Sequence, residues 1–236
     1  MNSLRHPVLL LVLLFMAIDT SAYPWITPYA YCNGNPIKFV DPDGREFINI
    51  LATPIQINKQ QGLTEEKKRE LLKKNEGLQK HMNRREALSI QNVFELFAHG
   101  TPNSILDKFT EISSPITLAS LLIKSSPYLN SDNSNSSIFV FYACNTGQGE
   151  NSIAKQFSKV KEIYGSVIIA PTGTVSIDKN GNEYVNGGFW NVICQGAVID
   201  TISGEKGKMT QYVKEKLANL QNFLQLSRQQ TSNVPE

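Results

Sequence analysis

The chain has little of what marks most recognisable chemistry. It holds three cysteines and three histidines in 236 residues. An odd, small set of cysteines (Cys32, Cys144 and Cys194) excludes a disulfide framework. Neither Cys-x-x-Cys nor His-x-x-x-His spacing occurs, so no structural zinc site is expected and no cofactor is implied. Charge of one sign is also missing. Lys and Arg number 23 against 21 Asp and Glu, a net charge of +2. No strong field therefore draws nucleic acid or acidic lipid. A nuclease usually needs His/Asp/Glu clusters or a basic surface; neither is visible in the sequence, which ranks that activity last. Nor is there an apolar run of the roughly 20 residues that a membrane span needs.

The one apolar run, Pro7 to Ile18, follows Arg5 and His6 and precedes the small residues Thr20-Ser21-Ala22. That order is the pattern of a secretory signal cleaved before Tyr23. Residues 1–22 are read as a signal peptide and the protein as secreted. An uncleaved anchor and the accidental apolar start of a gene fragment are the other readings of the same residues.

Hydrophobic residues make up 41% of the chain, enough to bury the core of one ordinary domain with appendages. Phe47–Ile57 is β-leaning and interrupted by Pro54. Thr64–Leu88 predicts a helix capped by Thr64, with Glu65 and Glu66 in its first turn and its Lys/Arg-rich face solvated. Val93–Ala98 predicts a strand, Leu118–Ile123 a short helix and Asn130–Ser137 a polar loop. Ile138–Ala143 and Val167–Ala170 are continuous apolar strands, the pattern of a sheet buried on both faces. Asn151–Val160 predicts a helix between them. Asn180-Gly181 predicts a hairpin, Phe189–Val198 one further strand and Thr210–Ser227 a closing helix. Strands alternating with helices imply an α/β sandwich with a mostly parallel sheet. Function in such sheets sits just past the carboxyl ends of strands.

Two strand ends are chemically loaded. One reads Phe97-Ala-His99-Gly100 and the other Tyr142-Ala-Cys144-Asn145-Thr146-Gly147. A thiol beside an imidazole is a nucleophile with its base. Gly100 lets backbone approach closely, and its N–H with that of Cys144 would form an oxyanion hole, each donor worth about 3 kcal/mol. His6 lies in the signal-like segment and His81 on the polar helix, which leaves His99 as the candidate base. The competing reading is that Cys144 is core, since cysteine is among the most buried residue types. Cys194 sits in an apolar strand and is read as structural. Asp178–Gly181 is read as a turn rather than a metal loop, and Trp190 as core.

Two family resemblances follow from these residues. The run Tyr23-Pro-Trp-Ile-Thr-Pro-Tyr-Ala-Tyr-Cys-Asn-Gly-Asn-Pro…Asp41-Pro-Asp-Gly44 resembles the closing segment of the RHS-repeat-associated core domain. In that family a variable toxin payload follows, which makes Arg45 onward the payload. The strand-His99-Gly100 and strand-Ala143-Cys144 order resembles the caspase/gingipain-like cysteine peptidases. That resemblance implies a caspase-like three-layer sandwich, with Cys144 as nucleophile, His99 as general acid/base and Gly100 N–H in the oxyanion hole. It departs from the caspase-type Gln-Ala-Cys-Arg-Gly at Tyr142 and Asn145, which alters the specificity pocket. By the same resemblance Asn145, Thr146 and, in the Ala170–Gly173 turn, Thr172 are candidate substrate contacts.

The organisation that results is a signal peptide (1–22), an RHS segment (23–44), a connecting strand and helix (45–90), an α/β payload domain (91–228) and a frayed tail (229–236). The implied partners are a protein substrate in a target cell or the parent toxin shell, and an immunity protein. A non-catalytic interaction module on the same fold and a toxin of another hydrolase class are the alternatives.

Overall fold

The computed structural model describes residues 46–216, apart from 86–87, 89, 91, 127–128 and 130–136. The signal-like segment, Tyr23–Gly44 with Cys32, most of the Asn130–Ser137 loop and the tail lie outside the described residues.

The chain begins with strand β1 (Glu46–Asn49) and a short helix α1 (Pro54–Lys59). Here Pro54 starts a helix rather than interrupting a strand. Thr53 accepts from Gln56 N–H while the Gln56 side chain accepts from Thr53 N–H. This reciprocal cap, with Pro in the first turn where its missing N–H costs nothing, overrides the β-leaning composition. Helix α2 (Glu65–Arg84) is capped by Thr64 as expected and runs through Gly77 without a break. Strand β2 (Val93–Phe97) follows.

The crossover from β2 to the next core strand holds more than a helix. It contains a small antiparallel sheet of β3 (His99–Thr101), β4 (Ser104–Asp107) and β5 (Thr110–Ile112), then helix α3 (Pro115–Ser125). Strand β6 (Ile138–Tyr142), helix α4 (Ile153–Phe157), a 3₁₀ turn (Lys161–Ile163) and strand β7 (Val167–Pro171) come next. Helix α4 is shorter than the sequence implied. Ser158 explains the stop: its hydroxyl donates to Lys155 O and accepts from Gly196 N–H, pinning the helix end to a distant turn.

The hairpin at Asn180-Gly181 joins β8 (Thr174–Ile177) to β9 (Glu183–Asn186), and Asp178 organises the turn by accepting from the N–H groups of Asn180 and Asn182. The single strand expected at Phe189–Val198 is instead a hairpin, β10 (Phe189–Cys194) and β11 (Ala197–Ser203). Gln195 and Gly196 both take positive φ, at 51° and 82°, the backbone of a tight hairpin turn. Residues 208–216, here α5, are helical.

The main sheet has the order β1-β2-β6-β7-β10-β11. Its first four strands are parallel, and β10 pairs antiparallel with both β7 and β11. The protein is thus α/β with a mostly parallel six-stranded sheet and two small antiparallel sheets. Every residue of β2, β6 and β7 is buried, because each face of the sheet is covered. One face packs Phe94, Phe139 and Ile168 with Leu118, Leu122 and Phe157 of the helices. The other packs Phe97, Tyr142, Trp190 and Val192 with Met82, Val185, Met209 and Val213. Trp190 is fully buried, as expected for a core residue.

A buried ionic network ties this second face together. Arg85 donates to Glu95 at 2.8 Å and to Glu183 at 2.7 Å. Tyr142 OH donates to Glu95 at 2.7 Å, and Thr210 donates to Glu183 through both its N–H and its hydroxyl. Burial first of all pushes the Tyr142 hydroxyl well above the usual phenol range, which keeps it a donor.

Candidate functional site

Strands β2 and β6 are parallel neighbours with Phe97 opposite Tyr142. Both therefore deliver the residues that follow them to the same sheet edge. From Phe97 the chain passes through Ala98 into His99 and Gly100 of β3. From Tyr142 it passes through Ala143 into Cys144. The two segments touch. A Cβ built on Gly100 would lie 2.7 Å from Thr146 Cγ2 and 2.9 Å from the Cys144 carbonyl oxygen, so only glycine permits this approach.

The backbone at this contact carries free donors. Pro102 and Asn103 form the two-residue turn of the β3–β4 hairpin, and Thr101 and Ser104 close it. A closing pair exchanges backbone hydrogen bonds, and pairs alternate along an antiparallel ladder, so Gly100 and Ile105 exchange none. Among the described residues the N–H groups of Gly100 and Cys144 have no acceptor. These are the two donors that the sequence nominated for an oxyanion.

His99, Gly100 and Cys144 line one cleft of about 610 Å³, a size suited to a peptide side chain or a small ligand. Its apolar wall is Leu63, Leu71, Leu106 and Phe109; Lys67, Lys74, Lys108 and Glu111 supply charge. His99 and Cys144 are both half-buried. His99 Nε2 lies 2.8 Å from Asn75 Oδ1, and Asn75 Nδ2 donates to Ala52 O at 2.8 Å. Burial, and then the Lys74 charge, hold the His99 pKa below its ordinary value. Both favour the neutral imidazole, the form that can act as a base.

The other nominated residues have different surroundings. Thr146 is fully buried, and its hydroxyl donates to Ala143 O at 2.8 Å. It supports the Cys144 turn from beneath and is not part of the lining of the His99 cleft. Asn145 takes the left-handed backbone, φ 62°, and its N–H donates to Gly173 O. Gly147 N–H donates to Pro171 O, and a Cβ at Gly147 would lie 2.5 Å from Ala170 O. The Cys144 turn is thereby stitched to the turn after β7. Thr172 lines a separate cleft of about 470 Å³ with Gln148, Phe189 and Asn191, not the cleft of His99. Burial pushes the Cys194 thiol up, in keeping with a structural cysteine. His81 stays on α2, away from the cleft lining.

Sequence reasoning missed Asn75 and the Arg85 network. Glu95 carried a signal, a charge inside the otherwise apolar strand Val93–Phe97. Asn75 carried none, because a polar residue among lysines and glutamates on a helix reads as solvated. Among the described residues no group of three His, Cys, Asp or Glu side chains is placed to hold a metal ion. No helix among them is long and apolar enough to cross a membrane.

Neither a curated protein nor a solved structure matches the chain. One family does. Residues 67–185, just over half of the chain and the stretch that holds Asn75, His99, Gly100 and Cys144, match the family described as a domain of unknown function, DUF8616, and the chain belongs to that family.

Proposed function

We propose that this protein is the payload of an RHS-type toxin and acts as a cysteine peptidase-like hydrolase, with Cys144 as nucleophile and His99 as general acid/base. The observation that carries this reading is the one cleft lined by His99, Gly100 and Cys144, with the backbone N–H groups of Gly100 and Cys144 left without an acceptor among the described residues. The caspase-like assignment of the fold belongs with the proposal. It draws on the order of His-Gly and Ala-Cys after neighbouring parallel strands. Secretion belongs with it too, through the signal-like residues 1–22.

The chemistry follows from the groups present. Neutral His99 takes the Cys144 proton, and the thiolate attacks a peptide carbonyl carbon. The oxyanion is held by the N–H groups of Gly100 and Cys144. As the C–N bond breaks, the imidazolium returns the proton to the departing amine, leaving a thioester on Cys144. Water, deprotonated by His99, then attacks the thioester. The carboxylic product leaves and the thiol recovers its proton.

The test is alkylation and cleavage. Iodoacetamide should modify Cys144 faster than Cys32 or Cys194, because the thiolate is the reactive form. His99→Ala should slow that labelling and the cleavage of a denatured protein substrate. Cys144→Ala should abolish cleavage with the melting temperature nearly unchanged. One observation favours the alternative, a non-catalytic interaction module: Cys144 packs against the apolar cluster under the sheet. Protection of Cys144 until the protein unfolds, with no cleavage, would decide for that module.

A further inference from the structure

Helix α2 buries only three of its twenty residues, and one of them is Asn75. The other two, Leu71 and Met82, are apolar and need no explanation. Asparagine in mid-helix is costly, and a buried amide requires partners for both its ends. Asn75 has both. Its Nδ2 donates to Ala52 O, and its Oδ1 faces His99 Nε2, each at 2.8 Å. The Ala52 carbonyl can only accept, so the amide cannot be flipped without placing two oxygens together. Oδ1 is therefore fixed as the atom facing the imidazole. Oδ1 can only accept, so Nε2 carries the proton, and in the neutral ring Nδ1 is left with the lone pair.

We propose that Asn75 is a positioning residue of the site: it locks His99 in the Nε2–H tautomer and so reserves Nδ1 as the nitrogen that exchanges a proton with Cys144. The role rests on the Cys144–His99 reading given above. It deepens that reading by adding a third member, supplied by a helix that lies before β2 in the chain. Ala52 follows β1, Asn75 sits on α2, and His99 follows β2, so the tautomer depends on α2 staying docked at this edge. Burial, and then the neighbouring Lys74, disfavour the imidazolium, while the Asn75 carbonyl is the acceptor at Nε2.

The experiment uses the full chain with ¹⁵N-labelled histidine. Imidazole nitrogen correlation spectra, with the His99 signals identified by their loss in His99→Gln, report the tautomer directly. Wild-type His99 should be protonated at Nε2. In Asn75→Ala the ring should become a mixture of tautomers, and iodoacetamide labelling of Cys144 should slow by roughly tenfold, the scale of one hydrogen bond to a group that becomes charged. Asn75→Asp keeps an acceptor for Nε2–H and adds a negative charge. It should retain the tautomer and raise the His99 pKa above the wild-type value. An Nδ1–H tautomer in the wild type would overturn the proposal. So would an Asn75→Ala protein that melts lower but keeps both tautomer and labelling rate, since Asn75 would then be only a bridge between α2 and Ala52. Should Asn75→Ala fail to fold, the tautomer and pKa of Asn75→Asp decide. A wild-type Cys144 that labels no faster than Cys194, with His99 still in the Nε2–H form, would sink the dyad itself and this role with it. The spectra separate that failure from a failure of positioning alone.

Discussion

Replacing Gly100 by Ala tests the contact on which the site depends. The new methyl would meet Thr146 Cγ2 at 2.7 Å, the Cys144 carbonyl oxygen at 2.9 Å and Ala143 Cβ at 3.0 Å. Comfortable carbon contacts begin near 3.5 Å. None of the three neighbours yields easily. Thr146 is fully buried with its hydroxyl bound to Ala143 O, the second contact is backbone, and Ala143 is fully buried. Strand β3 must therefore back away by about half an ångström to one ångström. Overpacking of this kind costs about 2 kcal/mol. For a chain of this size that lowers the melting temperature by about 4–8 °C. The shift also separates the Gly100 N–H and the imidazole from Cys144, and a displacement near 1 Å reduces a catalysed rate by up to about 100-fold. Calorimetry gives the first number and Cys144-dependent cleavage the second. Thr146→Ser supplies an internal check. It deletes Cγ2 and keeps the hydroxyl, so the double variant should be less destabilised than the sum of the two single changes. If Gly100→Ala melts within a degree of wild type and Cys144 reacts as before, the two strand ends are not packed as described.

Three further outcomes follow from the packing. Arg85→Met leaves Glu95 and Glu183 as uncompensated buried charges and should cost about 3–5 kcal/mol in urea unfolding; a loss below 1 kcal/mol would mean that the network is not closed. Burial, aided by Lys74 at His99 and by Arg84 at His81, holds both histidines below the ordinary 6.5 in the folded protein. The unfolded chain then binds more protons as pH falls, so stability should drop between pH 6.5 and the depressed folded values, and His99→Gln should flatten that slope; an unchanged slope would remove His99 as its source. Gly77 lies inside α2 with open space where a Cβ would go, so Gly77→Ala should stabilise by about 0.5–1 kcal/mol, and a destabilised variant would show that the helix is not regular there.

What the amino-acid order determined alone is local. Caps at Thr64 and turns at Asn180-Gly181 are written in adjacent residues, because each is made by hydrogen bonds spanning two to four positions. The apolar runs Ile138–Ala143 and Val167–Ala170 announce buried parallel strands, because a strand covered on both faces needs no polar side; Val93–Ala98 reads as a strand despite Glu95. Placing His99 and Cys144 at the ends of two such strands was enough to nominate them, since neighbouring parallel strands end at one edge. Where two signals competed, composition misled: Pro54 began a helix, and Gln195-Gly196 split one apparent strand into a hairpin.

Only the tertiary structure decided which polar residues leave the solvent. Asn75 meets His99, and Arg85 meets Glu183, across sequence separations that no periodicity spans. A buried asparagine and a solvated one look alike on a helix full of lysine and glutamate. The difference arises when α2 docks against the sheet edge and the amide finds Ala52 O and His99 together. Thr146 went the other way, from a nominated contact to a buried support, because the turn after β6 folds back on Ala143 and closes over it. Long-range docking sets these outcomes, since desolvation and partner geometry are properties of the assembled surface and not of the local chain.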